Sequence, residues 1–292
     1  LIGLALGSGA AFGLAHIGVL RVLEKNKIPV DILSGSSIGA FVAAMWGIGL
    51  SSEKIERLAQ KLTNKINIMK LLDFTVPISG ILAGRKMKMF LRSILGEKTF
   101  EDLKIPVKIM VYDLANREVF AVEKGTLADA VYMSIAVPGI FKPKVERERV
   151  LIDGGVSDPV PVDILLKEGV KKIIAVNVLP GPEEIHERNR LIKGELEKEE
   201  RLLQDAPVHI RYKLCVKRFF RKIFSPNIFD VIMTSMQAIE YILAEGSCKK
   251  ASVALRPVLS KASSTDFCFL KEFIERGEEE ANQHIKEIEK LF

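Results

Sequence analysis

Apolar and polar positions follow two rhythms along the first 180 residues. Predominantly apolar runs, Ile2–Leu6, 107–112 and 172–178, read as buried strands. Longer stretches with apolar residues three and four apart read as helices. The first run opens into Gly7-Ser8-Gly9-Ala10-Ala11-Phe12-Gly13 and then a helix over 14–26, in which Ile17, Leu20 and Leu23 share a face. Pro29 breaks that helix. A second strand starts at Val30 and runs into Gly35-Ser36-Ser37-Ile38-Gly39, followed at once by an apolar, Ala-rich helix. Further helices are predicted over 53–62, 85–95, 126–134 and 159–169, and further strands over 119–122 and 150–152. Strand and helix in this order argue for an α/β fold, with a mainly parallel sheet covered on both faces.

Beyond Pro180 the pattern changes. Residues 182–205 are highly charged and helical in pattern. Residues 211–224 are basic with interleaved apolar positions, 228–243 read as a helix, 251–255 as a last strand and 269–291 as a charged helix with Glu/Lys pairs. The organisation expected is a core over 1–180 and a mostly helical extension over 181–292 packed on the same globule. The stretch 64–84 is irregular. Its apolar residues Met69, Leu71, Leu72, Phe74, Val76, Ile78, Ile81 and Leu82 suit either the lining of a greasy cleft or a core-packing loop.

Composition narrows the function classes. Of 292 residues, 48% are hydrophobic and 27% charged, an ordinary globular balance. The net charge of +6 suits an anionic membrane surface or an acidic substrate. No Lys/Arg-rich and aromatic reading motif accompanies it, so nucleic acid is not an expected partner. Cys215, Cys248 and Cys268 are scattered and odd in number, which points to a reducing, cytoplasmic compartment. No metal-ligand spacing occurs, so neither metal nor cofactor is expected. The apolar run 38–50 beside the elbow is too short to span a membrane. The chain opens directly in a strand, so the start reads as trimmed and an upstream targeting segment remains compatible.

The chemistry centres on Ser37. G-x-S-x-G between a strand-like and a helix-like run is the setting of a nucleophile elbow, where a strained backbone lifts the serine hydroxyl above the sheet. Gly35 and Gly39 have a steric reason, since strand and helix approach too closely there for a Cβ. The helix that follows turns its positive end toward any oxyanion formed at the serine. The backbone N–H groups of the first loop converge on a small volume and suit an oxyanion or a phosphate. A dinucleotide site would want an acidic residue at the end of the second strand, but Asp31 stands at its start.

The base is less evident. His16 lies in the first helix and reads as a packing residue. His186 and His284 sit in charged helical stretches, and His209 lies beside Pro207. None follows a strand at a glycine-marked loop, so a Ser–His–Asp triad is poorly supported. Asp153 ends a short apolar strand and precedes Gly154-Gly155, at the sheet edge where ligand sites lie. A plain turn aspartate fits the same pattern.

Four stretches in register, namely the first loop, Gly35-Ser36-Ser37-Ile38-Gly39, Ser134-Ile135-Ala136-Val137-Pro138-Gly139-Ile140-Phe141 and Asp153-Gly154-Gly155, resemble the patatin-like phospholipase family, its bacterial single-domain members above all. The likeness covers about residues 2–180 well and the tail more loosely. It implies a three-layer α/β/α sandwich and a Ser–Asp dyad without histidine that hydrolyses acyl esters of phospholipids or lysophospholipids. By position it implies Ser37 as nucleophile, Asp153 as its base and the backbone around Gly9 and Ala10 as oxyanion hole. The family's loop usually reads G-G-G-x-R/K-G. Here Phe12 stands in the basic position, and a weakly active or non-catalytic lipid- or protein-binding regulator is the alternative reading. The stretch 211–224 is compatible with peripheral contact at an anionic inner membrane surface, Lys217, Arg218, Arg221 and Lys222 meeting headgroups. It equally suits an ordinary helix or loop with a solvated face.

Overall fold

The computed structural model describes residues 1–63, 69–76, 79–205, 207 and 228–292. The strands are β1 (Ile2–Leu6), β2 (Ile32–Gly35), β3 (Gly80–Leu82), β4 (Val107–Asp113), β5 (Glu118–Val122), β6 (Gly139–Phe141), β7 (Lys144–Glu146), β8 (Arg149–Asp153), β9 (Lys172–Val176) and β10 (Val253–Leu255). The helices that matter below are α1 (Ala15–Lys25), α2 (Ile38–Gly47), α3 (Ser52–Thr63), α4 (Arg85–Leu95), α5 (Leu127–Ser134), α6 (Val162–Lys167), α7 (Pro182–Asp205), α8 (Ile228–Cys248), α9 (Leu270–Gln283) and α10 (Ile285–Glu289).

β10, β9, β1, β2 and β4 lie side by side in that order, all parallel. Both faces of this sheet are covered, which is why its strands read as largely apolar runs. Alternate residues serve the two layers. Leu4, Leu6, Ile174 and Val176 join the core under α1 and α2. Ala5, Ile173 and Ala175 join a second core with Val162 and Leu165 of α6 and Ala244 of α8. The fold is thus an α/β fold around a mainly parallel mixed sheet, as the pattern predicts.

β4 has three partners for two edges. β5 runs antiparallel along 109–113 and takes one edge. The other edge is divided: β2 lies parallel along 107–109, and β8 lies antiparallel along 111–113. β2 and β8 therefore point at one another, and their carboxyl ends meet beside Met110. The sequence reading placed Asp153 at the carboxyl edge of the parallel strands. It does reach that edge, but on a strand arriving from the opposite direction.

Residues beyond 180 take part in this framework. β10 extends the sheet past β9, and α9 lies on α1. A Cβ on Gly18 would stand 2.0 Å from the Ile274 carbonyl oxygen, and one on Gly277 2.0 Å from that of Ala15, so the two helix backbones touch there. The single helix expected over 269–291 is divided at His284 into α9 and α10. The short paired strands β3 and β6, and β7, have no counterpart in the sequence reading. Three-residue strands offer too few positions for an alternation to register. Of the apolar residues in 64–84, Met69, Phe74, Val76 and Ile81 are exposed, Leu71 and Leu72 are half-buried and Leu82 is buried. Ile78 lies outside the described residues.

Candidate active site

Ser37 connects β2 to α2 at φ 55° and ψ −123°. That region is unfavourable for a residue with a Cβ and costs on the order of 1–3 kcal/mol. Its surroundings hold it there. Ser36 N–H donates to the Leu6 carbonyl at 3.2 Å, Gly39 N–H to the Ser36 carbonyl at 2.9 Å and Phe41 N–H to that of Ser37 at 3.2 Å. Ser37 N–H donates to the Ser134 hydroxyl oxygen at 3.0 Å, and that hydroxyl donates to the Met110 carbonyl at 2.7 Å. A Cβ on Gly39 would lie 2.1 Å from the Leu6 carbonyl oxygen, and one on Gly35 2.6 Å from the Ala40 nitrogen. Only glycines let strand and helix approach this closely.

The Ser37 hydroxyl donates to Oδ2 of Asp153 at 2.6 Å. The other carboxylate oxygen accepts Gly155 N–H at 2.7 Å. Both residues are buried, Ser37 at 7% and Asp153 at 4% exposure. Burial pushes the Asp153 carboxyl up to about 7, against the opposing pull of the Ser37 and Gly155 hydrogen bonds. A carboxylate of ordinary acidity is a feeble base, whereas this one is matched to proton transfer near neutrality.

The first loop curls around the start of α2. A Cβ on Gly13 would lie 2.2 Å from Cγ2 of Ile38, so loop and helix are in contact. Gly9 has φ 149° and Ala10 φ 50°, the latter a left-handed residue despite its Cβ. Among the described residues, neither Gly9 N–H nor Ala10 N–H donates to another protein group. Both are thus available to a bound oxygen. Phe12 is buried and its ring meets that of Phe273 on α9 edge-on, centroids 6.0 Å apart. Ala11 N–H donates to the Ser264 carbonyl at 3.0 Å. The loop is therefore anchored by packing where a basic side chain would use hydrogen bonds.

Among the described residues, no histidine is hydrogen-bonded to Ser37. His16 is fully buried in α1, and its Nε2 lies 2.8 Å from the Gly7 carbonyl oxygen. Burial lowers it to about 4, so the ring is neutral and braces the first loop from behind. His186 is exposed and His284 half-buried. His209 and the basic stretch 211–224 lie outside the described residues. Asp31 accepts Ile2 N–H at 2.6 Å at the amino end of the sheet. Ser134 and His16 are contributors that sequence reasoning missed as such. Ser134 belongs to a motif singled out above, but its partner Met110 lies in a strand that carries no mark of it.

A strained serine between a parallel strand and a helix places the protein among α/β folds with nucleophile-elbow geometry. The patatin-like phospholipase family matches residues 4–166, and the chain belongs to this family of hydrolases. Candida albicans "Lysophospholipase NTE1" is 32% identical over 179 residues, 61% of this chain and 13% of that protein. An uncharacterized NTE family protein of Mycobacterium tuberculosis is 35% identical over 177 residues, 61% of this chain and 49% of that protein. The chain thus spans half or less of these relatives. The crystal structure of VipD from Legionella pneumophila superimposes with a TM-score of 0.45 at 11% identity, covering 98% of this chain and 66% of that one.

Proposed function

We propose that the protein is a serine acyl-ester hydrolase that releases fatty acid from phospholipids or lysophospholipids, with Ser37 as nucleophile and Asp153 as base. The observation that carries this reading is the 2.6 Å contact between the Ser37 hydroxyl and a buried carboxylate. Asp153 takes the Ser37 proton as the oxygen attacks the ester carbonyl. The tetrahedral oxyanion lies against the Gly9 and Ala10 N–H groups and the positive end of α2. Its collapse expels the alcohol or lysolipid, which leaves with the proton from Asp153. Water then gives a proton to Asp153 and attacks the acyl-serine, and Ser37 is released as its oxygen recovers that proton.

One feature supports a lipid ester: the Candida relative is named a lysophospholipase. The apolar face of α2 that begins beside Ser37, with Ile38, Phe41, Val42 and Met45, is packed into the core and leaves a gap of only about 20 Å³ against Leu14 and Phe90. No helix among the described residues is long and apolar enough to cross a membrane. Contact with a lipid surface is assigned to the basic sequence of 211–224, outside the described residues, together with Ile228, Val231 and Ile232, which lie exposed where α8 begins. With its three scattered cysteines, the protein is assigned to the cytoplasmic side of that surface.

A panel of phospholipids and lysophospholipids, run with wild type and Ser37→Ala, tests the reading. Fatty acid release by wild type alone, with fluorophosphonate labelling lost in the variant, is expected. Turnover retained in Ser37→Ala ends it. A wild type that neither turns over nor labels is instead a lipid- or protein-binding member of the family.

A further inference from the structure

The loop that carries Gly9 and Ala10 is linked at both ends to one helix outside the family match, directly at Ser8 and through Ser264 at Ala11. Gln237 and Glu240 lie one turn apart on α8. Gln237 donates from Nε2 to the Ser264 hydroxyl oxygen at 3.0 Å, and the Ser264 carbonyl accepts Ala11 N–H at the far end of the loop. At the near end, the Ser8 hydroxyl donates to Oε2 of Glu240 at 3.4 Å, a long hydrogen bond. Ser8 also abuts the dyad. A Cβ on Gly155 would lie 2.9 Å from the Ser8 hydroxyl oxygen and 3.1 Å from Oδ1 of Asp153, so both oxygens press on the same glycine. Glu240 is thus a second acidic group at the site, beside Asp153, and the mechanism above leaves it unused.

We propose that Glu240, which accepts the Ser8 hydroxyl at the near end of the first loop, positions the oxyanion loop and sets the alkaline limit of turnover. The inference rests on the reading of Ser37 and Asp153 given above. Burial and the neighbouring Asp153 charge push the Glu240 carboxyl up to about 8. No basic side chain is paired with it among the described residues. Of the charged groups that follow Glu240, Glu245 on α8 pairs with Arg256 at 2.9 Å, and Lys250, just past the helix, pairs with Asp163 at 2.7 Å. Asp158, on the segment after Gly155, is raised to about 6 by burial and Asp163. While Glu240 keeps its proton, the loop faces the developing oxyanion without a negative charge behind it. Once it ionises, that charge opposes both the oxyanion and the Asp153 carboxylate. Turnover is confined between the ionisation of Asp153 and that of Glu240, and the two acids titrate as a coupled pair.

The test is the pH dependence of kcat/KM on a water-soluble p-nitrophenyl ester, for wild type and Glu240→Gln. Wild type should fall above about pH 8, approaching roughly tenfold per pH unit, and the isosteric neutral variant should lack that fall. Thermal melting of the same pair needs no turnover. A carboxyl raised in the folded state contributes stability that is lost as pH climbs from its unfolded value through its folded one. The melting temperature of Glu240→Gln relative to wild type should therefore rise between about pH 5 and 8. Superimposable pH–rate profiles, or a melting difference that does not change with pH, overturn the proposal. Because melting is read without substrate, a failed Ser37 reading and a failed Glu240 reading are distinguished.

Discussion

The Ser37 hydroxyl reaches Asp153 at 2.6 Å because their strands end facing one another on the same edge of β4. Gly35 pairs with Ile109 and Asp153 with Val111, leaving Met110 between the two strand ends. The Met110 carbonyl accepts the Ser134 hydroxyl, whose oxygen receives Ser37 N–H. Any change that shifts this edge by one residue moves the carboxylate off the serine.

Asp153→Asn keeps the shape of the side chain and removes its basicity. Turnover is expected to drop by about 10²–10⁴-fold with the fold retained, judged by circular dichroism and ester hydrolysis. Near-normal rates in this variant would assign the proton to another group.

Acidification separates activity from stability. With Asp153 pushed up to about 7, kcat/KM should decline as pH falls through that value, because the base becomes protonated. Stability runs the other way. A raised carboxyl stabilises the fold fully below its unfolded value and progressively less as pH rises to about 7. Asp153→Asn should therefore gain on wild type in denaturant unfolding between about pH 4 and 7, by up to roughly 1.4 kcal/mol per pH unit. A difference that is level over that range contradicts a buried, raised carboxyl.

Ser134→Ala leaves Ser37 N–H and the Met110 carbonyl without their shared partner. The expected cost is about 1–3 kcal/mol in unfolding free energy, with a lower kcat as the strained turn relaxes. Equal stability and equal kcat would show that the elbow holds itself.

Phe12→Ala removes the ring that joins the first loop to Phe273 and should cost about 3–5 kcal/mol. Paired with Phe273→Ala in a double-mutant cycle, the coupling should be about 0.5–1.5 kcal/mol. Phe12→Leu is expected to recover part of both stability and labelling by fluorophosphonate. Strict additivity in the cycle would mean that the two rings act independently.

Membrane contact at the start of α8 predicts that Ile232→Asp weakens flotation with anionic liposomes and that added salt weakens it in wild type. Flotation indifferent to both places lipid contact elsewhere.

Much of the scaffold was legible along the chain for local, steric reasons. β1 and residues 173–176 of β9 are apolar because parallel strands covered on both faces bury their side chains. The elbow is marked by Gly35 and Gly39, whose neighbours admit no Cβ. Asp153 was singled out by the two glycines after it, and Gly154 in fact packs against the Met110 carbonyl, where a Cβ would stand at 2.4 Å.

Other features depend on residues that meet only once the chain has folded. Ser37 and Asp153 are 116 positions apart, and Ser8 and Glu240 are 232 apart. No local pattern states that β8 would enter against the direction of β2, or that a tail helix would reach one end of the first loop directly and the other through Ser264. The basicity of Asp153 is likewise a property of its burial and not of its neighbours in sequence. Phe12 shows the division at a single residue. Its identity broke the family's loop pattern and left the loop's support in question. The folded chain answers with Phe273, because an aromatic ring is held by whatever surface packs against it, and that surface comes from the far end of the chain.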